Sequence, residues 1–122
     1  MILEAGEMKL IRLPFQPIFK DAMLSGRKTM TTRFDRNGIQ VGDYFNVFGR
    51  AFSITAIVRM RLGTVWVQHY REEGFDTAEG FGEMWCKIHP KRQDPELKVW
   101  AIRFKICVKG ATVQASLEVQ EP

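Results

Sequence analysis

Leu97-Lys-Val-Trp-Ala-Ile-Arg-Phe-Lys-Ile-Cys-Val108 is the stretch that decides the fold class. Trp100, Ile102, Phe104 and Ile106 recur at every second position, the period of a pleated strand, with Lys98, Arg103 and Lys105 interspersed. Its length and its aromatic and β-branched content predict a strand at or near the centre of a sheet. Phe52-Ser-Ile-Thr-Ala-Ile-Val-Arg-Met-Arg61 repeats the pattern, placing Phe52, Ile54, Ala56 and Val58 on one face of a half-buried antiparallel strand. Before it, Val41-Gly42-Asp43 introduces a strand over Tyr44 to Phe48, and Gly49-Arg50 turns the chain. Met8 to Phe15 reads as a short strand ended by Pro14, and Val113, Ala115, Leu117 and Val119 as a last edge strand after Gly110.

Between these strands the period changes. Pro17 suits a helix start, Ile18, Phe19, Ala22 and Met23 fall at helical spacing, and Gly26 suits the position after a helix, which predicts a helix over 17 to 25. Asn37-Gly38 is a turn signal. Trp66 to Glu73 reads as a helix stopped by Gly74. Asp76-Thr77-Ala-Glu79 resembles a capping box opening another helix through Phe81, Met84, Trp85 and Ile88, ended by Pro90. Strands outnumber short helices, so the reading is α+β: a small, mostly antiparallel β-barrel with two or three short helices packed at its mouth.

A chain of 122 residues is one domain's worth, and no linker or repeat divides it. We expect a core over about 8 to 108 and a C-terminal extension over 109 to 122. With 45% hydrophobic and 26% charged residues, the composition excludes disordered, collagenous and coiled-coil classes. Apolar runs fall far short of a bilayer span, which excludes a helical membrane protein. Glu4 and Glu7 disfavour a secretory leader. Cys86 and Cys107 form neither a disulfide framework nor a zinc pattern, and His69 and His89 are isolated. The expectation is a reduced, cytoplasmic protein with no metal and no cofactor.

Net charge is +4, unevenly spread: residues 20 to 36 are basic, whereas residues 71 to 83 carry five acidic side chains against Arg71 alone. Arg27, Lys28, Arg33, Arg59 and Arg61 are the candidates for a nucleic-acid footprint, and Trp66, beside Gly63-Thr64, is a candidate stacking platform. Gly26-Arg-Lys-Thr-Met-Thr-Thr-Arg33 concentrates hydroxyls and cations just after a helix. Its bland reading is a solvated turn or phosphate contact. Its chemical reading is a threonine nucleophile activated by a neutral lysine. That requires burial and cation repulsion to bring Lys28 from about 10.4 to roughly 7 or 8, about 3 to 5 kcal/mol. In a regular strand, Lys28 and Thr31 point to opposite faces, so their meeting requires a bend. Glu73, at a predicted helix end, sits where a carboxylate is electrostatically unfavourable.

Phe19-Lys-Asp-Ala-Met-Leu-Ser-Gly-Arg-Lys-Thr-Met-Thr-Thr-Arg33, Val41-Gly-Asp43, Glu73-Gly-Phe-Asp-Thr-Ala-Glu79 and Val99-Trp-Ala-Ile-Arg-Phe104, in this order, resemble the ASCH domain. The resemblance covers about residues 15 to 105 and implies a PUA-like barrel with a cleft that faces RNA or a nucleoside. In motif the chain is most similar to small members acting as N(4)-acetylcytidine amidohydrolases. That similarity implies Lys28 as proton acceptor, Thr31 as nucleophile and Glu73 as proton donor, with Glu72 a competitor for the last role. Thr32 departs from the apolar residue expected there, and about seventeen residues follow Lys105. Three functions stay open: hydrolysis of an acylated nucleoside, RNA binding through the same basic cleft without chemistry, and RNA cleavage.

Overall fold

The computed structural model describes residues 8 to 107. The predicted strand over 113 to 119 and the extension over 109 to 122 lie outside the described residues. Four antiparallel strands form one sheet: β1 (Met30–Arg33), β2 (Tyr44–Val47), β3 (Arg50–Arg61) and β4 (Lys98–Ile106), in the order β1-β4-β3-β2. The sheet curls into a half-barrel, giving the expected α+β arrangement, and β1 is an edge strand. A 3-10 turn (Pro17–Phe19) leads into α1 (Lys20–Leu24), and β3 runs directly into α2 (Leu62–Gln68); α3 (Ala78–Ile88) follows.

β4 is central, as its alternation predicts, and it is buried on both faces. Ile102 and Phe104 join Leu13, Met23, Phe45, Phe52 and Ile54 in one core. Val99 and Ala101, at the intervening positions, join Met30, Leu62, Val65, Phe81 and Trp85 in a second core under α2 and α3. α3 begins as its cap residues require: the Thr77 hydroxyl accepts from the Gly80 amide at 3.0 Å, so Thr77, rather than Asp76, is the cap. The β2–β3 hairpin turns on Phe48 and Gly49, both at positive φ, one residue earlier than Gly49-Arg50.

Three elements differ from the sequence reading. The run over 8 to 15 is not a strand; only Leu10 pairs, in a parallel bridge with Tyr44. The expected single face of Phe52, Ile54, Ala56 and Val58 breaks because pairing shifts between Ile54 and Ala56, which leaves Thr55 as an extra residue. One extra residue inverts the alternation, so Ile57 packs inward and Val58 is exposed. The helix expected over 66 to 73 starts and stops earlier, as α2, and Glu73 lies in the turns that follow it. Among the described residues, no helix is long and apolar enough to cross a membrane.

Candidate active-site cleft

The register of β1 on β4 sets the direction of each side chain over Met30–Arg33. Thr31 pairs with Ile102 and therefore faces the first core, whereas Met30 and Thr32 pair with Arg103 and Ala101 and face the second. Because β1 is an edge strand, a cleft of about 260 Å³ wraps around it and touches both sides. Phe15 and Phe19 contribute apolar surface from the segment before β1, and Phe34, Trp85 and His89 contribute aromatic surface from its end and from α3. Lys28, Thr31, Thr32, Arg33 and Glu73 supply the polar lining.

Glu73 reaches β1 through the turns after α2. The Glu72 carbonyl accepts from the amides of Thr29 and Met30 at 2.8 and 3.1 Å, docking these turns onto the start of the strand. Gly74 permits the approach: its φ is +101°, and a Cβ there would lie 3.1 Å from the Lys28 Cβ and 3.3 Å from that of Ala22. Of the adjacent glutamates, Glu73 is buried in the cleft, while Glu72 faces outward toward His69 and Arg103 at 3.4 and 3.5 Å.

Lys28 is 2% exposed. Its ammonium donates to the Met30 carbonyl at 2.9 Å, to the Glu73 carbonyl at 3.0 Å and to Glu73 Oε1 at 3.1 Å, and it lies 4.4 Å from the centre of the Phe19 ring. Burial pushes Lys28 below its ordinary value, against the opposing pull of Glu73, and the Arg33 charge adds to the lowering. The other carboxylate oxygen, Oε2, accepts from the Thr32 hydroxyl at 2.6 Å. Lys28, Glu73 and Thr32 thus form one connected buried chain. Thr31, 6% exposed, stands on the other face of β1 and accepts from Arg33 Nε at 3.1 Å. Arg33 also donates to the Pro14 carbonyl at 2.8 Å and lies 5.0 Å from the Phe15 ring centre.

Lys28, Thr31, Arg33 and Glu73, all singled out in the sequence, meet in the cleft. Arg27, Arg59, Arg61 and Trp66 do not line it. Arg59 stacks on Trp100 at 4.8 Å, and Arg61 pairs with Glu96 at 3.2 Å. Trp66 is a packing residue rather than a platform: it meets Phe81 edge-on and fills the space a side chain would need at Gly82. Sequence reasoning missed Thr32 as a partner of Glu73. It also missed His89, whose ring lies 4.2 Å from Trp85 and 5.3 Å from Phe34. Burial, then Arg92 and Arg33, hold His89 below its ordinary value, so it faces the cleft as neutral imidazole at pH 7. The motif position of Thr32 and the His89-Pro90 helix stop were visible signals, but neither reports what a side chain faces. Cys86 and Cys107 are free thiols, and among the described residues no cluster of His, Cys, Asp or Glu could hold a metal.

No protein-family model matches the chain, and no curated protein matches it in sequence. Solved structures do. The hypothetical protein PH0355 superposes with a TM-score of 0.61 at 15% identity, covering 82% of this chain and 98% of its own. An ASCH domain from Lactobacillus crispatus JV V101 gives 0.58 at 15% identity, over 87% of this chain and 86% of that one. A point variant of ZmASCH from Zymomonas mobilis gives 0.57 at 15% identity, over 94% and 81%. At such identities the likeness speaks to architecture alone, and it agrees with the half-barrel described above: this chain has the fold of ASCH domains.

Proposed function

We propose that the cleft binds an acylated nucleoside, N(4)-acetylcytidine being the type case, and hydrolyses its amide. Thr31 is the nucleophile, Lys28 its base and Glu73 the acid. The observation that carries this reading is the buried Lys28–Glu73 pair in an aromatic-lined cleft the size of one nucleobase and its substituent, with threonine hydroxyls on either side of β1. Flat aromatic walls suit a pyrimidine, and a buried acid and base suit amide cleavage without a metal.

A lysine takes a proton only from its neutral form. Burial drives Lys28 in that direction, and the pair supplies the amine when its shared proton resides on Glu73. Thr31 and Lys28 both line the cleft but stand on opposite faces of β1, so the Thr31 hydroxyl has to turn from Arg33 toward Lys28 before the transfer. Its oxygen bonds to the acyl carbon as Lys28 takes its proton. Glu73 then protonates the leaving cytosine amine as the C–N bond breaks, leaving an acyl-threonine beside a Lys28–Glu73 ion pair, the pairing described above. Water adds to the ester while Glu73 takes its proton. Lys28 returns its proton to Thr31 as the ester C–O bond breaks, and the carboxylic acid leaves. Arg33 meets the sugar or phosphate side.

The test is incubation of the purified protein with N(4)-acetylcytidine, following loss of the acetyl chromophore, with Thr31→Ala and Lys28→Met as controls. Turnover lost in both variants is the expected result, and a wild-type rate in Thr31→Ala overturns the assignment. A second reading, RNA binding through this cleft without hydrolysis, draws on Arg33, which lines it without a carboxylate at ion-pairing distance among the described residues. It calls for RNA affinity that falls steeply with added salt and with Arg33→Gln.

A further inference from the structure

We propose that Thr32 is the proton relay between Glu73 and the reacting groups, an inference that rests on the hydrolase reading above. The Glu73 side chain is 3% exposed, and Lys28 occupies its Oε1 at 3.1 Å. The other oxygen is held by Thr32 Oγ1 at 2.6 Å, within the range for a hydroxyl donating to a carboxylate. Thr32 also lines the cleft, so a group bound there lies beside the residue whose hydroxyl meets the carboxylate. The register requires this: Thr32 pairs with Ala101 and faces the side where Glu73 docks, while Thr31 pairs with Ile102 and faces away from it. An apolar side chain at this position would leave Oε2 without its donor.

A hydroxyl both donates and accepts, which a relay requires. In acylation, the leaving nitrogen takes the Thr32 Oγ1 proton as the C–N bond breaks. Thr32 Oγ1 takes the proton carried on Glu73 Oε2, leaving a carboxylate and a neutral threonine. In deacylation the direction reverses: attacking water gives a proton to Thr32 Oγ1 as Thr32 passes its own to Oε2. The cycle thus loads and discharges Oε2 by one path, while Lys28 exchanges its proton with Thr31. No co-reactant other than water enters.

The experiment uses N(4)-acetylcytidine with the wild-type protein, Thr32→Val and Thr32→Ser. Removing the hydroxyl while keeping the shape is expected to lower kcat roughly a hundredfold or more, with KM nearly unchanged. Thr32→Ser is expected to restore most of the rate. In mixed H2O and D2O the wild-type kcat is expected to bow downward with deuterium content, the signature of two protons in flight, a result that does not depend on any variant folding. A wild-type protein without turnover overturns the hydrolase reading itself. Turnover with a linear isotope response, or Thr32→Val at the wild-type kcat, overturns the relay and leaves that reading standing.

Discussion

Replacing Lys28 by Met keeps most of the buried stem beside Gly74 and removes the ammonium alone. Three hydrogen bonds disappear with it, to the Met30 and Glu73 carbonyls and to Glu73 Oε1, and Glu73 retains Thr32 as its side-chain donor. Stranding one member of a buried pair costs about 3 to 5 kcal/mol, because the remaining charge is left uncompensated. For a domain of this size that is a fall in Tm on the order of 10 to 25 °C. Glu73→Gln strands the ammonium in the same way, whereas Lys28→Met with Glu73→Gln buries no charge and recovers at least about 2 kcal/mol of the summed losses. Denaturant titration of the four proteins measures this coupling. The sign of the pH dependence is a further check. Folding lowers Lys28 from 10.5, so between the lowered value and 10.5 the unfolded chain binds more protons than the folded one. Lys28 therefore adds a rise of stability with pH across that window, which Lys28→Met lacks. Single losses that simply add, or a Lys28→Met protein within 1 kcal/mol of the wild type, would refute the reasoning that the pair is a coupled buried unit.

Gly82→Ala, which in an open helix would gain up to about 1 kcal/mol, is expected to cost roughly 1 to 3 kcal/mol here, because its Cβ would fall 2.2 Å from Trp66 Cζ2. Trp66→Leu should relieve that cost in the double variant, and thermal unfolding that shows no relief would remove Trp66 from the packing role. His89 is held below its ordinary 6.5 by burial and by Arg92 and Arg33, so the unfolded chain binds the extra proton between the lowered value and 6.5. Stability contributed by this residue is lost as pH falls through that window, and His89→Phe is expected to flatten the slope of denaturation midpoints between pH 7.5 and about 5. Equal slopes in the two proteins would count against it.

The central strand was legible because its signal is redundant: β4 is long, aromatic and alternating, and both cores depend on it. The α3 boundaries were legible for a local reason, the capping stretch Asp76-Thr77-Ala-Glu79 at one end, with Thr77 the cap, and Pro90 at the other. The helix over 66 to 73 was misjudged by about a turn, since it starts at Leu62 and includes Gly63, a residue type of low helix propensity. In the fold Gly63 sits inside α2, where a Cβ would lie 3.1 Å from Pro95. The same kind of contact hid the role of Trp66, whose space is made by Gly82, sixteen positions later. Such contacts between distant residues leave no periodic trace.

The candidate site divides in the same way. Lys28 and Glu73 were legible as residue types: a lysine after a helix-ending glycine and a glutamate before another glycine. What the local pattern does not encode is which of two adjacent threonines faces which core, since Thr31 and Thr32 are chemically equal and differ only in parity. That parity is set across the sheet, by the pairing of Thr31 with Ile102 and Thr32 with Ala101. A slip of one residue would turn Thr31 and Arg33 toward Glu73 and Thr32 toward Phe15. The register is pinned by burial rather than by the threonines. Met30, fully buried under α2, would exchange places with Thr31 in any such slip, bringing a hydroxyl into the second core and a methionine to the Phe15 side. The apolar partner of the motif therefore fixes the direction of its polar ones, and the link from Lys28 through Glu73 to Thr32 follows from how the core packs.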